Sequence, residues 1–300
     1  MKYIVSGPNK LGRIGHQFSN WSAGLGLSKI CNAQFIHTPF AGKAVKWENV
    51  LKFHRAFGDI ADAEYDNIIN LPPLSLGHDP SILPAEKAQK NLEEWCRIIG
   101  CAPDHTLFMI PYDSFAGVLN KEIASFRGEL QACYWADNSK YDFSLGDNTQ
   151  EDVINIGIHI RRGDISPEQC GARWLDISYY KKILGALRHC GAWNSPVRFY
   201  IFSEKAYLNP LVGGNPLARP NEFDKLLADD VELVLDGSDI EAFRMMCSVD
   251  VLVTGLSTFS ILAAYLRKLP VIYHKLLSYT PWESLSGFTD VDEFLKPIKA

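Results

Sequence analysis

The run Val153, Ile154, Ile156, Ile158 and Ile160 constrains the fold of this chain more than any other feature. It alternates and then fills with β-branched residues, the signature of a buried strand. A helical pattern follows at 177–189, then strands at 197–203 and 231–235, a helix at 240–247 and a strand at 249–254. A helix at 258–267 and a strand at 270–273 complete the series. Alternating elements of this kind specify a parallel sheet with helices on both faces, so the expected class is α/β.

The preceding half opens in a related way. A short strand at 3–5 ends in the turn signal Ser6-Gly7-Pro8. The loop Gly12-Arg13-Ile14-Gly15-His16-Gln17 leads into a helical pattern carrying Phe18, Trp21 and Leu25, and a strand is expected at 33–37. Strand, Gly-rich loop, helix and strand make a βαβ opening. Farther on the pattern predicts a short helix at 46–53, a short strand at 67–71, a Pro/Gly-rich loop over 71–84 and helices at 84–98 and 114–130. The polar, turn-rich stretch 134–150 reads as a boundary, giving domains 1–150 and 151–300, which suits the length of the chain.

Charge and cysteine usage narrow the class. The net charge of −5 offers no general attraction to nucleic acid or an anionic membrane, so anion binding must come from locally placed arginines. Seven scattered cysteines without a C-x-x-C pair read as the reduced thiols of a cytoplasmic protein, not a disulfide frame or zinc site. The amino terminus turns polar too soon for a signal peptide, and no run is long enough to span a bilayer. A soluble protein is expected, with peripheral membrane association left open. Asp290-Val291-Asp292 reads as a solvated acidic turn that follows no strand, so no metal site is expected.

The chemistry should lie at the strand ends. In an open parallel sheet the ligand crevice sits outside the carboxyl ends of the strands. The first strand of the second half ends in His159, Arg161, Arg162 and Asp164, and the next in Ser203 and Glu204. Asp236-Gly237-Ser238 follows the third, and Thr254-Gly255-Leu256-Ser257-Thr258-Phe259-Ser260 the fourth. Ser257 or Thr258 caps a helix whose free N–H groups and dipole favour an anion. Arginines beside such a terminus make a clamp for a diphosphate, each charge-assisted bond contributing about 1.5–3 kcal/mol. Plainer readings stand beside this one: a surface ion pair for Arg-Arg-Asp, a satisfied core histidine for His159, and an ordinary helix cap for Ser-Thr-Phe-Ser. In the first half, Gly7 to Ile14 comes near a phosphate-binding loop, but Arg13 replaces its lysine and Ile14 cannot ligate magnesium. Trp21, Phe40, Trp47 and Tyr112 are candidates for stacking on sugar rings, and equally for the core.

These segments resemble a family. Gly12-Arg13-Ile14-Gly15-His16-Gln17 resembles the G-R-x-G-N-Q loop of the GDP-fucose-dependent fucosyltransferases, and His159-x-Arg161-Arg162-x-Asp164 their H-x-R-R-x-D motif. Ser257-Thr258-Phe259-Ser260 is similar to their S-S/T-F-S segment, and Ile201-Phe202-Ser203-Glu204 to their F-S-D strand end. The resemblance implies a GT-B fold, two Rossmann-like domains facing across a cleft, with acceptor binding in the first. It implies inverting transfer of L-fucose from GDP-β-L-fucose to a glycan hydroxyl, with no metal or other cofactor. Arg161 would then hold the β-phosphate, with Arg162 beside it. Ser257, Thr258 and Phe259 would bind the diphosphate, and His159 the nucleoside side. Gly12, Arg13 and Gly15 would face the donor, as would Ser203 and Glu204. Asp250 or Asp236 would read guanine. His16 stands where the family has Asn and is a candidate base, with Asp164 and Glu168 as competitors. Free, lipid-linked and protein-linked acceptors all remain open. So do a different nucleotide sugar, a phosphate-loop kinase or sulfotransferase, and a binding protein without catalysis.

Overall fold

The computed structural model describes residues 1–7, 12–73, 85–111, 119–143, 153–168, 171–204, 206–207, 217–218, 222–274 and 287–295. They fall into two compact units, one within Met1–Asn138 and one within Ser139–Leu277 and Ser286–Ala300. Each is α/β with a parallel sheet, the class expected from the alternating pattern.

The first unit holds β1 (Tyr3–Ser6), α1 (Ile14–Cys31), β2 (Gln34–Phe35), α2 (Glu48–Leu51), α3 (His54–Phe57), β3 (Asn67–Asn70), α4 (Ala85–Cys101), β4 (Thr106–Ile110), α5 (Asn120–Ala124) and α6 (Arg127–Trp135). Its strands run in the order β2-β1-β4-β3, all parallel. Chain order reverses between β1 and β4. The strand β4 is absent from the sequence expectations, although it pairs with both β1 and β3. The helix expected over 114–130 is two, α5 and α6; residues 112–118, Tyr112 among them, lie outside the described residues. α1 is buried on most sides, and its Trp21 stacks on Phe53 at 4.8 Å and meets Phe35 edge-on at 4.9 Å. Trp21, Phe40 and Trp47 are therefore core residues, and none has a face open to a sugar.

The second unit holds β5 (Ile154–His159), α7 (Ile177–His189), β6 (Val197–Ser203), β7 (Ala206–Tyr207), β8 (Leu217–Ala218), β9 (Val231–Leu235), α8 (Asp239–Ser248), β10 (Val251–Val253), α9 (Thr258–Leu266), β11 (Val271–Tyr273), β12 (Phe288–Asp290) and α10 (Val291–Leu295). Its main sheet runs β12-β11-β10-β5-β6-β9 and is parallel throughout. From β5 the chain moves outward through β6 and β9, then returns to the other side of β5 with β10. The switch point therefore lies between β5 and β10. One face buries Ile156, Ile158, Phe199, Ile201 and Val251 against Ile183, Leu184 and Leu187 of α7. Arg267, fully buried after α9, donates to the carbonyls of Met246, Val249, Asp250 and Leu269, tying the end of α8 to the entry of β11.

The acidic turn expected at Asp290-Val291-Asp292 needs correction. Asp290 ends β12, is buried, and accepts from the backbone N–H groups of Asp292 and Glu293, so it starts α10. The segment after 274 offers no periodic signal, and only pairing with β11 defines the strand.

Candidate functional site

The tips of β5 and β10 meet at the switch point, where crevices of parallel sheets form. The register pairs Ile158 with Val253, so the chains leave the sheet side by side as His159-Ile160-Arg161 and Thr254-Gly255-Leu256. They approach so closely that a Cβ on Gly255 would stand 2.6 Å from the His159 carbonyl oxygen and 2.8 Å from its Nδ1. Only glycine fits there. Gly163 turns the chain in the left-handed region, at φ +83°, with Glu204 packed directly over it.

Arg161 is presented at this tip and braced. Its Nε and Nη2 donate to Asp164 Oδ1 and Oδ2 at 3.2 and 2.8 Å, a bidentate pair, and Nη1 makes a long 3.5 Å bond to the Leu256 carbonyl. Asp164 thus fixes the plane of the guanidinium. Opposite, Ser257 caps α9 by accepting from the Phe259 N–H at 3.3 Å, while the buried Ser260 hydroxyl donates to the Ser257 carbonyl at 3.1 Å. Phe259 lies between Phe243, at 5.5 Å, and the His159 ring, at 6.0 Å.

His159 is 8% exposed, and its Nδ1 is buried without a hydrogen-bond partner. Burial, reinforced by the positive charge of Arg161 and partly opposed by Asp164, pushes its pKa down to about 3. The imidazole is therefore neutral near pH 7. It can accept or donate one hydrogen bond to a ligand, but it is not a proton shuttle at that pH. An orphaned polar atom in a buried setting costs free energy unless a ligand or water meets it.

Arg162 points elsewhere. It is 6% exposed and donates to Glu222, to the Leu175 carbonyl and to the Arg161 carbonyl, with its guanidinium stacked 3.6 Å from the centre of the Trp174 ring. Ser203 spends its hydroxyl on the Ile160 carbonyl at 2.8 Å, holding β6 to the end of β5. Asp250 does not join the cluster. It precedes β10 and accepts from the Asn155 N–H at 2.8 Å, at the amino edge of the sheet, the edge opposite the tips. Asp236 directly follows β9, with its N–H on the Ser203 carbonyl at 3.3 Å. Sequence reasoning missed Glu222 and Trp174, which lie outside every motif and are recognisable only through Arg162.

The Gly-rich loop belongs to the first unit. Arg13 takes the N-cap position of α1 in extended conformation and is exposed; Gly15 is buried and His16 half-buried. Gln17 braces the loop: its amide nitrogen donates to the carbonyls of Gly12 and Ala41, and its oxygen accepts from the Ala41 N–H at 2.8 Å. Asn20, one turn on, is buried beside the end of β1 with Oδ1 unpartnered, and no sequence signal singled it out.

No protein-family model and no curated protein matches this chain. Among solved structures it is similar to the fucosyltransferase NodZ from Bradyrhizobium, at 12% identity over 92% of this chain and 94% of that one, with a TM-score of 0.44. It is also similar to POFUT1 in complex with GDP, at 12% identity over 90% and 98% of the two chains, TM-score 0.41. A third similar structure is the iron-containing heptosyltransferase TibC in complex with ADP-D-β-D-heptose. It is 13% identical over 94% of this chain and 61% of that one, TM-score 0.41. Among the described residues no helix is long and apolar enough to cross a membrane.

Proposed function

We propose that this chain is an inverting, metal-independent glycosyltransferase that moves L-fucose from GDP-β-L-fucose to a hydroxyl of a glycan. The observation carrying this reading is Arg161, held bidentately by Asp164 at the switch point beside the Ser257-capped start of α9. It is joined to the likeness of the two surrounding motifs to those of GDP-fucose-dependent enzymes. Transfer breaks the bond between the sugar C1 and the β-phosphate oxygen, leaving negative charge on the diphosphate. Arg161 and the N–H groups at the start of α9 supply fixed positive potential for that charge. His159, neutral and with Nδ1 buried and unpartnered, offers the nucleotide a hydrogen bond. Asp164 holds Arg161, which leaves His16 and Glu168 as candidate bases, and we assign His16 to take the proton of the acceptor hydroxyl as it attacks.

Thermal stabilisation by GDP, UDP, CDP, ADP and adenosine 3′,5′-bisphosphate, with a chelator present, tests this. Ligand at 100 times its dissociation constant adds about 2.7 kcal/mol. GDP alone should stabilise the protein, Arg161→Ala should cut the shift to a small remainder, and GDP-fucose should be turned over with chelator present at a rate that Arg161→Ala lowers about 10²–10³-fold. Stabilisation by UDP or CDP instead would replace the donor. Stabilisation only by ADP or the bisphosphate would sink the assignment. Unchanged turnover in His16→Asn would remove His16 as the base.

A further inference from the structure

The two arginines of the Arg-Arg pair are adjacent, and adjacent residues of an extended chain face opposite sides. One guanidinium at this tip can face β10 and α9, and the other must find its partners on the reverse side. The structure divides them in this way: Arg161 lies with Asp164 and Leu256, and Arg162 with Glu222, Leu175 and Trp174. We infer that Glu222 and Trp174 are positioning residues for Arg161, acting through Arg162; this rests on the reading above that Arg161 binds a diphosphate.

Three segments converge on the Arg162 guanidinium. Glu222 opens the helical turn Phe223–Leu226 ahead of β9 and grips Nε and Nη2 at 2.8 and 3.1 Å. Leu175 accepts from Nη2 at 3.0 Å, directly before Asp176, whose carboxylate caps α7. The Trp174 ring covers the cation from its face, 3.6 Å away. The remaining bond matters most. Nη1 donates to the Arg161 carbonyl at 2.8 Å, so a cation anchored on the approaches to α7 and β9 holds the backbone of the residue that faces the ligand. Four of the five N–H donors of the Arg162 guanidinium are spent within the protein.

Glu222 also neutralises Arg162. With that carboxylate neutralised, a buried guanidinium is left without its counter-ion. Loss of Glu222 would then loosen the Arg162 fork and release the Arg161 backbone that it holds. A fork is required at this position, so lysine at 162 would not serve.

The test is a double-substitution cycle read by calorimetry with GDP and, separately, inorganic pyrophosphate. Glu222→Gln should weaken pyrophosphate and GDP about tenfold, since displacing a binding group by part of an ångström has effects of this order. In the Arg161→Ala background the same substitution should change affinity less than twofold. Glu222→Asp, which keeps the charge, should recover most of the loss. Equal weakening in both backgrounds would reduce Glu222 to general support of the unit and overturn the inference, as would no weakening in either. If Glu222→Gln does not fold, Trp174→Leu carries the same cycle. Wild-type protein that binds pyrophosphate but not GDP would remove the donor assignment and leave the cycle readable; wild-type protein that binds neither would remove both.

Discussion

Substituting Gly255 by alanine adds one methyl group at the closest approach of the two strand tips. The new Cβ would stand 2.6 Å from the His159 carbonyl oxygen, 2.8 Å from its Nδ1 and 3.4 Å from the Arg161 nitrogen. Ordinary carbon–oxygen contacts begin near 3.3 Å, so the tips must part by about 0.7 Å. The obstructing carbonyl is backbone and the ring is packed against Phe259, so neither can swing aside as a long side chain would. Overpacking of this kind costs about 1–3 kcal/mol, which lowers the melting temperature of a unit this size by about 2–12 °C. The separation also moves Arg161 relative to α9, and affinity for GDP should fall about tenfold or more. Gly237→Ala is the matched control, because a Cβ at that glycine meets nothing within 4 Å; its stability should stay within about 0.5 kcal/mol of wild type. Urea unfolding and calorimetry would read both effects. If Gly255→Ala and Gly237→Ala have the same urea midpoint and GDP affinity, the tips of β5 and β10 are not in contact and the site as described fails.

Arg267→Met removes the donors to four carbonyls and should destabilise the second unit by about 3–5 kcal/mol, against less than 1 kcal/mol for an exposed arginine; a urea midpoint within error of wild type would refute the bracing role. The His159 pKa of about 3 lies below the value near 6.5 of an unfolded histidine, so the unfolded chain binds the extra proton between these limits. Its contribution is thus complete above pH 6.5 and is lost as pH falls towards 3, at up to about 1.4 kcal/mol per unit. His274, lowered mainly by burial, acts in the same direction. Wild type should lose about 2 kcal/mol more than His159→Phe between pH 7 and 5, and equal losses in the two proteins would show that His159 is not buried neutral.

Much of the fold was legible in the chain. The helix 177–189 and the strands 197–203 and 231–235 appear at the residues where the pattern put them, because each buries one periodic face against a sheet or helix. β4 and β12 escaped. Thr106–Ile110 is a short apolar run without alternation, and Phe288–Asp290 is three residues long; neither carries a period of its own. At the site, the sequence offered His159, Arg161, Asp164 and Ser257 together, and these do converge, because parallel strands bring their carboxyl ends to one edge whatever their separation in the chain. Asp250 entered only through the family resemblance, and it sits at the amino edge of the sheet, on the Asn155 N–H.

What the sequence determined by itself is therefore local: which segments are strands or helices, and which polar residues stand at their ends. Burial imposes a period on neighbouring residues, and a period can be read without knowing the partner. Tertiary structure alone decided that β10 returns beside β5, that Gly255 must be bare, and that Arg161 faces the switch point while Arg162 is claimed by Glu222. Those outcomes depend on contacts between residues 60 to 96 positions apart. Two arginines of identical chemistry carry no mark of which will be neutralised within the protein; the carboxylate that reaches one of them settles it.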